Sequence, residues 1–152
     1  MQCLSVDLLP GYALAIDMTA RNAQDEAKKK GLPWSAAKGF DTFLPLGRPV
    51  SKMTLPDPHA AELVLAVNGH PRQHASTALM LFRIPQLLAA ASRVMTLWPG
   101  DLVLTGTPAG VGSVVPGDVM RAGLRVDGRE VVDAAIEVGV EEATGGYVFR
   151  ET

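Results

Sequence analysis

Asp17, Arg21, Gln24 and Lys38 place a carboxylate, a guanidinium, an amide and an amine within one stretch, GYALAIDMTARNAQDEAKKKGLPWSAAKGFD, spanning residues 11–41. On a helix starting near Thr19, Arg21 and Gln24 share a face at three-residue spacing and Arg21 stands four from Asp17, so the three side chains can converge. The same spacing allows a plainer arrangement, in which Asp17 caps the helix and pairs with Arg21. Lys38 weighs toward a binding site, because an amine among the small and apolar residues of AAKGF is costly unless it faces an anion. A lone aspartate, by contrast, is a poor magnesium site.

A second candidate is the loop TGTPAGVG, residues 105–112. Gly106, Gly110 and Gly112 lack the dinucleotide-binding spacing, and no Gly-Lys-Ser/Thr follows, so this is not a phosphate-cradling loop. Two readings stay open: a tight turn whose glycines need positive φ, or a carboxylate-binding loop using the Thr105 and Thr107 hydroxyls with backbone amides at a strand end. His70 and His74 share a face of a predicted strand but lie too far apart to share a metal easily, and His59 in Pro-Asp-Pro-His reads as a turn residue. No Ser/His/Asp set follows from spacing, and a nucleophilic hydrolase is unsupported.

The elements that must position these groups read as follows. Residues 11–16 form a buried strand, and a helix over 19–30 stops at Gly31-Leu32-Pro33. Lys28, Lys29 and Lys30 in its last turn suit the helix C-terminus and solvent, with phosphate binding the lesser reading. Residues 43–59, with Pro45, Pro49, Pro56 and Pro58, read as a long connection. A hairpin over 62–75 turns at Asn68-Gly69, and a helix over 84–95 carries Ile84, Leu87, Leu88, Ala91 and Met95 on one face. A short strand at 102–104 precedes the glycine-rich loop, and a second hairpin at Asp127-Gly128 joins 119–126 to a long return strand over 129–141. The sum is an α+β chain dominated by antiparallel sheet, with two helices.

The 152 residues, 47% of them hydrophobic, suit one domain. A net charge of -2, from 14 basic and 16 acidic residues, favours neither nucleic acid nor an anionic membrane surface as partner. No apolar run reaches the roughly 20 residues needed to span a bilayer. MQCLSVDLLPG lacks the features of a signal or transit peptide. Cys3 is the sole cysteine, which excludes an internal disulfide and fits a reducing compartment.

Residues 11–41, then PDPH, VNGHPRQ, LVLTGTPAGVG and PGD, in that order, resemble the C-terminal part of the fumarylacetoacetate hydrolase family, nearest its acylpyruvate hydrolase and oxaloacetate decarboxylase branch. The resemblance implies that family's β-sandwich roll, with residues 1–10 a leader, 11–142 a portion of the catalytic domain and 143–152 a tail that is frayed or bound to a partner. It implies that Asp17 is one of three carboxylates around Mg²⁺ or Mn²⁺, that Arg21, Gln24 and Thr107 line the substrate pocket, and that Lys38 neutralises developing negative charge. Small 2-oxo acids would be the substrates, cleaved through a metal-stabilised enolate, in a mitochondrial or cytoplasmic homodimer.

The family's Glu-x-Glu metal ligands and its water-activating histidine and glutamate precede the segment matching Gly11, whereas residues 1–10 contain neither Glu nor His. The expectation is therefore a chain lacking the N-terminal part of the domain, with metal held weakly. Three functions fit: an enzyme whose N-terminal part lies outside this chain, an inactive structural or interaction subunit, or a carboxylate-binding module without turnover. An exposed apolar face left by the missing segment predicts a dimer or larger assembly.

Overall fold

The computed structural model describes residues 9–147 and Arg150. Most of the expected leader over 1–10, Cys3 included, and part of the expected tail over 143–152 lie outside the described residues. The architecture is α+β and antiparallel throughout. It comprises β1 (Gly11–Tyr12), α1 (Arg21–Lys30), α2 (Ser35–Lys38), β2 (Val50–Ser51), β3 (Ala61–Val67), β4 (His70–Ser76), α3 (Ile84–Ser92), β5 (Val119–Val126), β6 (Arg129–Glu130) and β7 (Ile136–Gly139), with 3₁₀ turns at Thr77–Leu79 and Val132–Ala134. There are three α-helices rather than two, because four residues after Trp34 close a further turn.

The main sheet follows the order β4-β3-β5-β6, with β7 also paired to β5. Both predicted hairpins are present. Asn68 and Gly69 have φ of 51° and 76°, and Asp127 and Gly128 have 51° and 73°, the double left-handed geometry whose twist matches that of paired strands. Alternate residues of β5, Met120, Ala122 and Leu124, are buried. Ala122 packs with Leu14 and Ile136, while Leu124 packs with Val50, Leu55, Ala61 and Ala134, and Leu63 of β3 touches both clusters.

Three sequence expectations are corrected. The strand over 11–16 shrinks to β1, which pairs with β2, followed by an isolated bridge from Ala15 to Leu46. Its continuation is a looser ladder in which Gly47 N donates to Leu14 O, Ile16 N to Pro45 O and Met18 N to Phe43 O. Pro45 and Pro49 on the facing segment have no N–H to give, so a regular strand cannot be completed there. The long return strand breaks into β6, a 3₁₀ turn and β7. Residues 102–104 form no strand among the described residues, since nothing pairs with them; Leu102 and Leu104 are 59% and 47% exposed.

Two turns are fixed by side chains. Asn68 Nδ2 donates to Asp118 Oδ1 at 2.7 Å while Val119 N donates to Asn68 Oδ1 at 2.8 Å, tying the first hairpin's turn to the Pro-Gly-Asp turn that starts β5. Asp118 Oδ2 also accepts from Val115 N at 2.9 Å. The Val115 amide and then Asn68 hold the Asp118 carboxyl below its ordinary value of 3.8, against a lesser opposing desolvation, with the positive Arg72 adding the least. A carboxyl with a depressed folded pKa contributes stability that is complete above the unfolded value and lost as pH falls through the folded one. Melting temperature should therefore decline as pH drops below about 3.8, and Asp118→Asn should flatten that decline. A parallel decline in the variant, seen in thermal melts from pH 6 to 2.5, would assign the acid sensitivity elsewhere.

Near α3, His59 N donates to Asp57 Oδ1 at 2.9 Å, and His59 Nε2 accepts from Ile84 N at 3.1 Å. An accepting Nε2 leaves the proton on Nδ1, which faces Asp57 Oδ1 at 3.4 Å. His59 is a turn residue, as its sequence setting suggests, and it also satisfies the first amide of α3. His74 Nε2 lies 3.3 Å from the exposed Glu62 carboxylate, and His70 is exposed.

Candidate functional site

The first turn of α1 begins two residues later than its sequence suggests. Ala20 N is drawn to Ala37 O at 2.9 Å, while Ala20 O accepts from Gln24 N, so Ala20 rather than a polar residue caps the helix. This bond brings α2 against the segment preceding α1. Lys38 Nζ consequently meets Asp17 Oδ2 at 2.5 Å, across 21 residues of chain. Asp17 neither caps α1 nor pairs with Arg21. Arg21 Nη1 instead donates to Oε1 of the buried Gln24 at 2.9 Å. At the other end of α1, Gly31 takes φ of 64° and Leu32 N donates to Ala27 O, the expected glycine stop. The lysines of the last turn are exposed, Lys30 pairing with Glu26 and Lys28 lying 5.4 Å from the Trp34 ring centre.

The glycine-rich loop lies against β4. Gln73 Nε2 donates to Thr107 Oγ1 at 3.1 Å and to Pro108 O at 2.8 Å. Gly106 and Gly110 have φ of 103° and 98°, as a tight turn requires, whereas Gly112 does not have positive φ. Gly110 carries a second constraint: a Cβ there would stand 2.0 Å from the Arg72 carbonyl oxygen. Among the described residues, no backbone amide of 105–112 donates to another backbone group.

Asp17, Arg21, Gln24, Lys38 and Thr107 all line one open groove of about 2230 Å³, together with Gln73. Ligand pockets typically enclose about 300–1,000 Å³, so these side chains border a cleft too wide to enclose a small ligand unaided. Along it, Leu102, Leu104, Val111 and Trp98 are exposed. Sequence reading missed Gln73, although VNGHPRQ was among the stretches carrying the resemblance; a glutamine in a strand has no chemistry of its own until the loop it holds is known.

A model of the fumarylacetoacetate (FAA) hydrolase C-terminal domain matches residues 6–139. The chain belongs to this family. Within the fumarylacetoacetate hydrolase family it is 51% identical over 138 residues to "Oxaloacetate tautomerase oaa1, mitochondrial" of Schizosaccharomyces pombe, covering 90% of this chain and 62% of that protein. It is 48% identical over 123 residues to "Oxaloacetate tautomerase FAHD1, mitochondrial" of Homo sapiens, covering 81% and 56%. The fold matches that of the yeast family protein ynq8 with a TM-score of 0.89 and 43% identity, over 95% of this chain and 60% of that one. A fumarylpyruvate hydrolase from Pseudomonas aeruginosa, solved in complex with Mn²⁺ and pyruvate, superposes with a TM-score of 0.81 at 32% identity, over 90% and 56%. The chain thus spans roughly three-fifths of the length of these fumarylacetoacetate hydrolase family members.

A divalent cation is implied by the family, and the described residues do not fit one. Among them no three His, Cys, Asp or Glu side chains gather as candidate ligands. Asp17 already has an ammonium against one carboxylate oxygen. One carboxylate neutralises half of a divalent charge, and Mg²⁺ surrenders its waters reluctantly. Titration of this chain with Mn²⁺ should give binding no tighter than about 10⁻⁴ to 10⁻³ M, the range of weak oxygen-ligand sites. Micromolar binding detected by water-proton relaxation would show that further ligands are recruited. Among the described residues no helix is long and apolar enough to cross a membrane.

Proposed function

We propose that this chain supplies the substrate-anchoring side of an active site for small 2-oxo acids, and that the reaction served is keto–enol interconversion of oxaloacetate. One observation carries the reading: Lys38, the joined Arg21–Gln24 pair and the Thr107 loop border the same groove. The names of the S. pombe and human relatives support the choice of substrate and reaction. The P. aeruginosa relative, whose structure holds pyruvate, supports the 2-oxo acid class.

Interconversion passes a proton from C3 to solvent water in the open groove and returns one from water to the C2 oxygen, so negative charge develops on that oxygen in between. Lys38 is the group suited to that charge. An ammonium has three donors, and Asp17 occupies one of them, leaving two for substrate oxygens. Asp17 holds the amine in place through that one hydrogen bond. Arg21, steadied by its bond to Gln24, and the Thr107 hydroxyl with its neighbouring amides would receive the carboxylates. Acylpyruvate hydrolysis and oxaloacetate decarboxylation pass through the same kind of enolate, so Lys38 and Thr107 would serve those reactions in the same way. Homodimer assembly and a mitochondrial setting, the latter written in the relatives' names, belong to the same proposal.

The direct test follows the ultraviolet absorbance of enol-oxaloacetate with the purified chain. Accelerated decay, lost in Lys38→Ala, is expected. A rate equal to the buffer blank, with oxalate still bound in calorimetry, would replace the enzymatic reading by that of a carboxylate receptor without turnover. The Asp17–Lys38 pairing, which sets an ammonium against the Asp17 carboxylate, favours that second reading.

A further inference from the structure

The proposed reaction gives Gln73 no role of its own, yet its side chain ends between two loop oxygens, one of them the Thr107 hydroxyl. Pro108 O, at 2.8 Å, can only accept a hydrogen bond, so the end of the Gln73 amide facing it must be the NH₂ group. With the amide reversed, two carbonyl oxygens would stand at hydrogen-bonding distance without a hydrogen between them. The second N–H of the same group then points to Thr107 Oγ1 at 3.1 Å. A hydroxyl that accepts from an amide keeps its own proton for another partner. Among the described residues no acceptor takes the Thr107 proton, and Thr107 is an exposed residue bordering the groove.

We infer that Gln73 is a positioning residue that sets the polarity of Thr107: by donating to Oγ1 and Pro108 O, it makes the Thr107 hydroxyl a donor toward the groove and so selects an anionic oxygen there. The inference rests on the carboxylate reading of the loop and deepens it. A hydroxyl free to rotate offers either a proton or a lone pair and discriminates little between a carboxylate and a neutral amide. Once the amide occupies one of its two lone pairs, the hydroxyl is biased toward presenting its proton to the groove, which favours the carboxylate. The setting of β4 makes the clamp possible. Gln73 lies opposite Leu65 of β3, and Arg72 O abuts the place where Gly110 would carry a Cβ, so the loop rests on β4 at two consecutive residues.

The experiment combines calorimetry with oxalate, and with its neutral counterpart oxamide, on wild type, Gln73→Leu, Gln73→Glu, Thr107→Val and the Leu/Val double variant. It adds exchange rates of the Gln73 side-chain NH₂ protons by NMR. Gln73→Glu should cost the most oxalate affinity, more than about 30-fold, because a carboxylate there accepts from the Thr107 hydroxyl and repels both Pro108 O and the ligand. Gln73→Leu should cost about tenfold and erase most of the preference for oxalate over oxamide. On the Thr107→Val background, Gln73→Leu should add less than about twofold, as expected of residues acting through one another.

Equal losses from Gln73→Leu in both backgrounds would overturn the inference, as would Gln73→Glu binding oxalate like wild type. So would NH₂ protons exchanging as fast as those of a solvent-exposed glutamine. If those protons are protected in wild type and oxalate still does not bind it, the clamp stands and the carboxylate reading of the site fails.

Discussion

Lys38→Ala should lower kcat/KM for oxaloacetate interconversion by about 10²–10³, the usual consequence of deleting a donor aimed at charge that develops in a transition state. Melting temperature should barely move. Asp17 and Lys38 are 37% and 32% exposed, and ion pairs open to solvent contribute about 1 kcal/mol or less. The contrast between a large kinetic effect and a small thermal one separates a reacting group from a structural tie. Lys38→Arg should recover part of the activity, since the charge remains, but guanidinium geometry differs from that of an ammonium. Activity unchanged in Lys38→Ala would remove the residue from the reaction. A fall of many degrees in melting temperature would make Lys38 a structural residue whose loss disables the site indirectly.

Gly110→Ala should be among the most damaging single substitutions outside the core, at about 2–5 kcal/mol if the loop stays docked. Two costs combine. The φ of 98° is a conformation that residues with a Cβ rarely adopt, and the added carbon would stand 2.0 Å from Arg72 O, a backbone atom that cannot swing aside. The chain can escape by lifting the loop off β4, which forfeits the Gln73 bonds to Thr107 and Pro108. Either outcome predicts a loss of oxalate affinity, and the docked one also a fall in melting temperature. Gly31→Ala is the control: it too has positive φ, 64°, but nothing lies within 4 Å of its Cβ position. It should cost only about 1 kcal/mol and leave oxalate binding intact. Comparable damage from both substitutions would show that backbone strain alone, rather than contact with β4, fixes the loop.

Much of this was readable from sequence where local chemistry decides structure. Asn68-Gly69 and Asp127-Gly128 needed only their own backbone preferences to announce two hairpins, and Gly31-Leu32-Pro33 to announce a helix end. Asp17, Arg21, Gln24, Lys38 and Thr107 were singled out through the order of the stretches around them, and all five border one wide groove that many other residues also line. Their pairing was not legible. Helical spacing suggested Asp17 with Arg21, but the bond from Ala20 N to Ala37 O delays α1 and swings α2 inward, giving Asp17 to Lys38 instead. Pairing across 21 residues depends on a backbone contact that no periodicity encodes.

The failed strands have a similar cause. Residues 102–104 have the apolar character of a strand, yet strand geometry needs a neighbour's hydrogen bonds, and among the described residues none is offered. Pro45 and Pro49 deny donors to the segment following β1 in the same way. Gln73 went unnoticed because its role is relational: it acts through Thr107, 34 residues away. The acidity of Asp118, likewise, is set by Val115 and Asn68 rather than by its own neighbours in a helix or strand.

Calorimetric titration of oxalate into the purified chain, with chelator present to remove divalent cations, tests the account most directly. Binding to one site per chain is expected, weakened at least about tenfold by Lys38→Ala and again by Thr107→Val, since the anchoring groups lie within the described residues and none of them is a metal. Absence of binding until Mn²⁺ is added, or binding indifferent to both substitutions, would contradict it.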